Sequence, residues 1–144
     1  MAEDELLYQL NAPHGSGDII FSWQPKNGRF LATTGSDQVL AIFDREGGVV
    51  DKVKLSGQCT DLCWDPDGDL LAVISQSSRD IVLWDANRRK KQIVDSGLRE
   101  TLSCLVWAKK DLILAVASVK GNISIYNHLT AKRLVVITRT NCKF

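Results

Sequence analysis

Asp65, Asp67 and Asp69 stand at the one-three-five spacing with which an EF-hand loop opens its calcium cage. The rest of that loop is wrong. Position six, where glycine makes the sharp turn, is Leu70, and position twelve, where a bidentate glutamate closes the cage, is Gln76. The segment reads better as a turn: Asp65-Pro66-Asp67-Gly68 puts proline at the second position, where its fixed φ suits a turn, and glycine at the fourth. Cys59 and Cys63 are four apart in an apparent strand, hence on one face, but no second Cys or His pair follows at finger-like spacing. They read as reduced core thiols, and Cys104 and Cys142 as free thiols too. The two histidines, His14 in a Gly-Ser loop and His128 in a turn, lie near no nucleophile-elbow pattern and read as surface turn residues. Gly15-Ser16-Gly17 lacks the lysine and the flanking strand and helix that a phosphate cradle needs. The sequence therefore offers no catalytic, cofactor-binding or metal-binding residues, and the chain reads as non-enzymatic. Its one concentrated charge run is Arg88-Arg89-Lys90-Lys91. That run reads as a solvated turn, a contact for an acidic partner surface, or a nuclear-localisation patch, and its shortness does not separate the three.

Composition narrows the partners. The 144 residues are 44% hydrophobic and 24% charged, values of an ordinary globular chain that exclude a disordered tail or a collagen-like rod. Eighteen Lys plus Arg against 17 Asp plus Glu give a formal charge of +1, so no whole-molecule field draws nucleic acid or an anionic membrane. No run approaches the ~18 apolar residues of a membrane-spanning helix, so direct membrane insertion is not expected. Glu3-Asp4-Glu5 stands where a signal peptide would be basic, and the expected location is the cytosol.

The elements that position these residues repeat. Trp23, Trp64 and Trp107 are 41 and 43 residues apart; Leu31-Ala32, Leu71-Ala72 and Leu114-Ala115 are 40 and 43 apart. Phe43-Asp44, Trp84-Asp85 and Tyr126-Asn127 follow at 41 and 42. Three markers share a period near 42. Within each period, short runs rich in β-branched residues are broken by turn residues, which predicts strands. The first repeat gives Ile19 to Trp23, Phe30 to Thr34, Gln38 to Phe43 and Val49 to Leu55. The second gives Cys59 to Trp64, Leu70 to Ser75, Ile81 to Asp85 and a fourth strand around Lys91 to Val94. The third gives Leu102 to Trp107, Leu112 to Ala117, Asn122 to Tyr126 and Arg133 to Ile137. Leu70-Leu71-Ala72-Val73-Ile74 lacks polar alternation, as expected of a sheet covered on both faces. Four strands per ~42 residues match a propeller blade.

With Trp84-Asp85 closing a third strand, the repeats resemble blades of the WD-repeat β-propeller family. Asp37, Asp80 and Asn122 resemble the family's acidic or amide position before the third strand. The family's Gly-His pair is missing, with Gly57-Gln58 and Gly97-Leu98 near those places, so the usual hydrogen-bonded tetrad is not expected to form. The resemblance runs from about residue 18 to 137. It is closest, through Trp64-Asp65-Pro66-Asp67-Gly68-Asp69, Leu83-Trp84-Asp85-Ala86-Asn87 and Val119-Lys120-Gly121-Asn122, to the amino-terminal propellers of intraflagellar transport complex A subunits.

The expected fold is all-β: three four-stranded WD-repeat blades in an open, incomplete propeller. Residues 1–17 form an N-terminal segment, 18–56, 57–97 and 98–138 the blades, and 139–144 a truncated tail. Leu6-Leu7-Tyr8-Gln9-Leu10 is a candidate closing strand for a last blade that the chain lacks. The family resemblance implies an interaction scaffold whose partners are other intraflagellar transport complex A subunits. It also implies roles in retrograde transport, cilium assembly and ciliary membrane-protein entry, located in cytoplasm, cilium and ciliary base. The alternatives are an adaptor in another assembly, such as a ubiquitin ligase or vesicle coat, and a truncated product without independent function. The first and third blades would expose faces built for burial, which predicts self-association.

Overall fold

The structure, a computed structural model, describes residues 6–130 together with the backbone of 132–137. It contains no helix among these residues. Each four-strand set forms one antiparallel sheet in simple sequential order. The first sheet holds β1 (Ile20–Trp23), β2 (Phe30–Thr34), β3 (Val39–Asp44) and β4 (Val49–Lys54). The second holds β5 (Cys59–Trp64), β6 (Leu70–Ser75), β7 (Asp80–Asp85) and β8 (Lys90–Asp95). The third holds β9 (Leu102–Trp107), β10 (Ile113–Ser118), β11 (Ile123–Asn127) and β12 (Lys132–Ile137). Every strand lies within one residue of its sequence expectation. The three sheets stack without closing into a ring, and β5 lies against β1 on one side and β9 on the other.

Two cores fill the gaps between sheets. Phe30, Leu40, Ile42 and Val53 of the first sheet meet Leu62, Trp64, Leu71, Val73 and Trp84 of the second. The opposite face of the second sheet sends Leu70, Ala72, Ile74, Ile81 and Leu83 against Leu102, Leu105, Trp107, Leu114, Val116 and Tyr126. Alternate residues of β6 thus enter different cores, and all six are buried. That double coverage is why this strand is apolar throughout.

One sequence expectation is corrected here. Cys59 belongs to the first core, whereas Cys63 packs against the second. The pairing Cys59↔Ser75 is followed by Asp61↔Ile74, so Thr60 is an extra residue in β5. This bulge inverts the alternation, and residues four apart face opposite ways. The same device recurs in β9, where Ser118↔Leu102 is followed by Ala117↔Cys104.

The first sheet has an outward face as well. Trp23, Leu31 and Phe43 pair across β1, β2 and β3, as do Phe21, Thr33 and Ala41. Ala41 and Phe43 are buried, while Phe21 and Trp23 are 61% and 49% exposed. The cover over the outer half is the N-terminal segment. The Tyr8 ring rests on Gly47 at the β3–β4 turn, and His14 reaches Gly35 at the β2–β3 turn. Residues 6–12 carry no strand, and their pairing with a further blade stays a proposal.

Candidate interaction surfaces

Several of the repeat markers have a visible physical task. Asp44 Oδ1 accepts the backbone N–H of Glu46 at 3.0 Å and of Gly48 at 2.7 Å. Asp85 Oδ1 does the same for Asn87 and Arg88 at 2.9 and 3.0 Å, and Asn127 Oδ1 for Leu129 at 2.9 Å. Short side chains with an acceptor oxygen close the turn between third and fourth strands, which is why Asp or Asn recurs there. Trp64 and Trp107 tie neighbouring sheets. Trp64 Nε1 donates to the Ser22 carbonyl at 3.2 Å, and Trp107 Nε1 donates to the Cys63 carbonyl at 2.9 Å. Each acceptor is the residue just before the tryptophan of the preceding sheet. Trp84 is fully buried, stacks edge-on to Phe30 and Trp64, and donates to Asp51 Oδ2 at 2.9 Å.

His14 corrects a second expectation. It is 2% exposed rather than a surface residue. Its Nδ1 lies 2.8 Å from Asp37 Oδ1 and its Nε2 2.6 Å from Thr33 Oγ1. With Asp37 ionised and the imidazole neutral, Nδ1–H donates to the carboxylate and Nε2 accepts the threonine proton. A histidine, a hydroxyl and an acid are therefore linked in the first sheet, although no Gly-His pair announces them. The third sheet repeats the arrangement with a carboxylate in the histidine's place. Glu100 Oε1 accepts the Ser118 hydroxyl at 3.0 Å and the Asn122 amide. These hydrogen bonds, the Asn122 amide first, hold the Glu100 carboxyl below its ordinary range.

The Asp65, Asp67 and Asp69 oxygens lie within 4.8 Å of one another. Each is already engaged. Asp65 accepts the N–H of Leu70 at 2.7 Å and of Asp67 at 3.1 Å, Asp67 takes the Lys26 ammonium, and Asp69 takes the Asn87 amide at 3.2 Å. Gly68, at φ +80°, lets this turn seat against Gln24, whose Nε2 donates to the Gly68 carbonyl at 2.7 Å. A Cβ there would come 2.8 Å from the Pro25 carbonyl oxygen. Among the cysteines, Cys59, Cys63 and Cys104 are free thiols, and Cys142 lies outside the described residues. Burial, reinforced by the Asp61 charge, pushes the Cys59 thiol up to about 12.

The basic run occupies the turn and start of the β7–β8 hairpin, with Lys90 opposite Asp85 and Lys91 opposite Trp84. All four of its side chains are exposed. The Arg89 guanidinium lies over the Phe30 ring, 5.5 Å from its centroid. Arg29, which sequence reasoning passed over, lies 5.2 Å from the same centroid. On the opposite rim, Ser56, Ser77, Ser78, Arg79, Asp95 and Arg99 line an open polar cavity of about 650 Å³.

A family model described as the WDR19 first beta-propeller matches residues 19–143. The chain belongs to the WDR19 first-propeller family. It is 46% identical over 119 residues to WD repeat-containing protein 19 of Homo sapiens and 45% identical to that of Mus musculus, each match covering 83% of this chain. WD repeat-containing protein dyf-2 of Caenorhabditis elegans is 36% identical over 127 residues, 86% of the chain. The chain spans 9% of the length of each of these relatives. The solved structure of U3-55K superposes with a TM-score of 0.71 over 82% of this chain and 38% of that one, at 16% identity. That last likeness is one of fold.

Proposed function

We propose that this member of the WDR19 first-propeller family is a non-enzymatic protein-interaction scaffold within a subunit of intraflagellar transport complex A. In this reading it supports retrograde ciliary transport, cilium assembly and the entry of membrane proteins into the cilium. Its partners are other subunits of that complex, and it works in the cytoplasm, at the ciliary base and in the cilium. The observation that carries the reading is the family match over residues 19–143. The geometry agrees with it: rigid sheets present turns at both rims, the arrangement by which propellers hold partners. The basic hairpin Arg88-Arg89-Lys90-Lys91 is a candidate contact within it. The test is affinity capture and imaging of the tagged full-length protein in ciliated cells. Recovery of complex A subunits and accumulation at the ciliary base is the expected result. Absence from cilia, with recovery of a ubiquitin-ligase or coat assembly instead, would replace this reading.

A further inference from the structure

We propose that Arg29, Arg88, Arg89, Lys90 and Lys91 form one composite surface that binds an acidic, carboxylate-rich peptide segment of a protein partner. This rests on the scaffold reading above and names the chemistry of one of its contacts.

Arg29 and Arg89 are distant in sequence and come from different sheets' turns, yet both guanidinium groups converge on Phe30 at 5.2 and 5.5 Å. Their separation cannot exceed the sum of those distances. Each guanidinium carbon lies within cation–π reach of the ring, an attraction that limits the freedom a long side chain otherwise loses on binding. Like charges gathered this way ordinarily carry a carboxylate between them. Among the described residues none is ion-paired to them, and three acids of the neighbouring turns are engaged elsewhere. Asp44 and Asp85 accept backbone N–H groups of their own turns, and Asp69 accepts the Asn87 amide.

The surface favours a peptide over other anions. Two pre-set arginine forks match carboxylates in bidentate fashion, whereas a lipid surface is satisfied by flexible point charges and an apolar anchor. The chain's net charge of +1 gives a long polyanion no wider field to follow. Beside the cations, β8 is the last strand of its sheet, and Ile93, two residues on from Lys91, is 53% exposed. An extended segment can lie along that edge and set an apolar side chain on Ile93. Lysines on an edge strand also discourage unwanted pairing, but that role does not account for Arg29 and Arg89, which sit in turns.

The experiment is fluorescence-anisotropy titration of a labelled ten-residue glutamate-rich peptide with the whole chain at low salt, with circular dichroism as the check on folding. The wild-type chain binds, and binding weakens as salt is raised. R29Q and R89Q each weaken binding about fivefold or more, and R29K/R89K, which keeps the charge and loses the forks, also weakens it. If R29Q and R29K/R89K bind like wild type while R88Q/K90Q/K91Q loses binding, the hairpin alone makes the contact and the composite site is wrong. Peptide binding that is absent from the wild type, or weaker than its retention on phosphatidylserine vesicles or duplex DNA, overturns the acidic-peptide assignment. None of these failures bears on capture of complex A subunits, so the scaffold reading is tested separately.

Discussion

His14 shows how a single side chain can join a segment to a sheet. Its two ring nitrogens fasten the N-terminal segment to Thr33 and Asp37 while the residue is almost wholly buried. H14A removes both bonds and strands the Thr33 hydroxyl under the segment, at a cost of about 1–3 kcal/mol measurable by urea denaturation. The thiols give a second test. With its folded value raised to about 12 from an ordinary 9.0, the Cys59 proton is held more tightly in the folded chain than in the unfolded one. Its contribution to stability is complete below pH 9 and is lost as pH rises toward 12. Alkylation of the native chain at pH 8 should label exposed Cys104 well before Cys59, and equal rates would contradict the burial. The histidine's role was hidden from a search for Gly-His, because glycine here follows the histidine and Glu100 replaces it in the third sheet. A usable signal did exist: His14 and Asp37 are 23 apart, and Glu100 and Asn122 are 22 apart.

Strands were legible to within a residue because turns are punctuated by Gly, Pro, Asp and Asn while β-branched runs fill the spaces between. Which way a side chain faces was less so. The extra residue at Thr60 leaves no mark in composition, yet it sends Cys59 and Cys63 into different cores. Only the matching bulge at Ser103 reveals it as a device of the repeat. The period itself was readable because most of its markers do the same work from sheet to sheet: Asp44, Asp85 and Asn127 close equivalent turns, and Trp64 and Trp107 make equivalent ties. Trp84 joins two sheets by packing and by its bond to Asp51, so W84A should cost about 3–5 kcal/mol and leave that carboxylate without its indole partner. Gly57 is constrained from the other direction, since a Cβ there would lie 2.3 Å from the Gln76 carbonyl oxygen. G57A should lower the thermal midpoint, whereas alanine at Gly15, with nothing within 4 Å, should be limited to the backbone strain of φ +80°. Equal losses at the two sites would mean that the close approach at Gly57 is unimportant.

At the scale of the molecule, the indole ties define a direction. The second sheet's tryptophan bonds to the first sheet and the third sheet's to the second, so the unused donor side of the stack is Trp23 and the unused acceptor side is the strand carrying Val106. Phe21 and Trp23 are 61% and 49% exposed on one end, and Val106 is 61% exposed on the other, beside an apolar cavity of about 230 Å³ lined by Cys104, Ala115, Ala117 and Ile123. The sequence predicts an exposed face on the first and on the third blade, but on the first Ala41 and Phe43 are buried, and the N-terminal segment leaves it bare mainly along β1. An end that differs from its complement joins head to tail, a mode of association that closes only if the rotation per step permits. The isolated chain should therefore show a weight-average mass rising with concentration in sedimentation velocity. V106K should suppress the rise by placing a charge where an indole would dock, while K120A, in a turn on the opposite rim from the basic hairpin, should leave it unchanged. A single monomeric species across about 1–100 µM, the range in which weak protein contacts populate, would show that the bare strands do not mediate association.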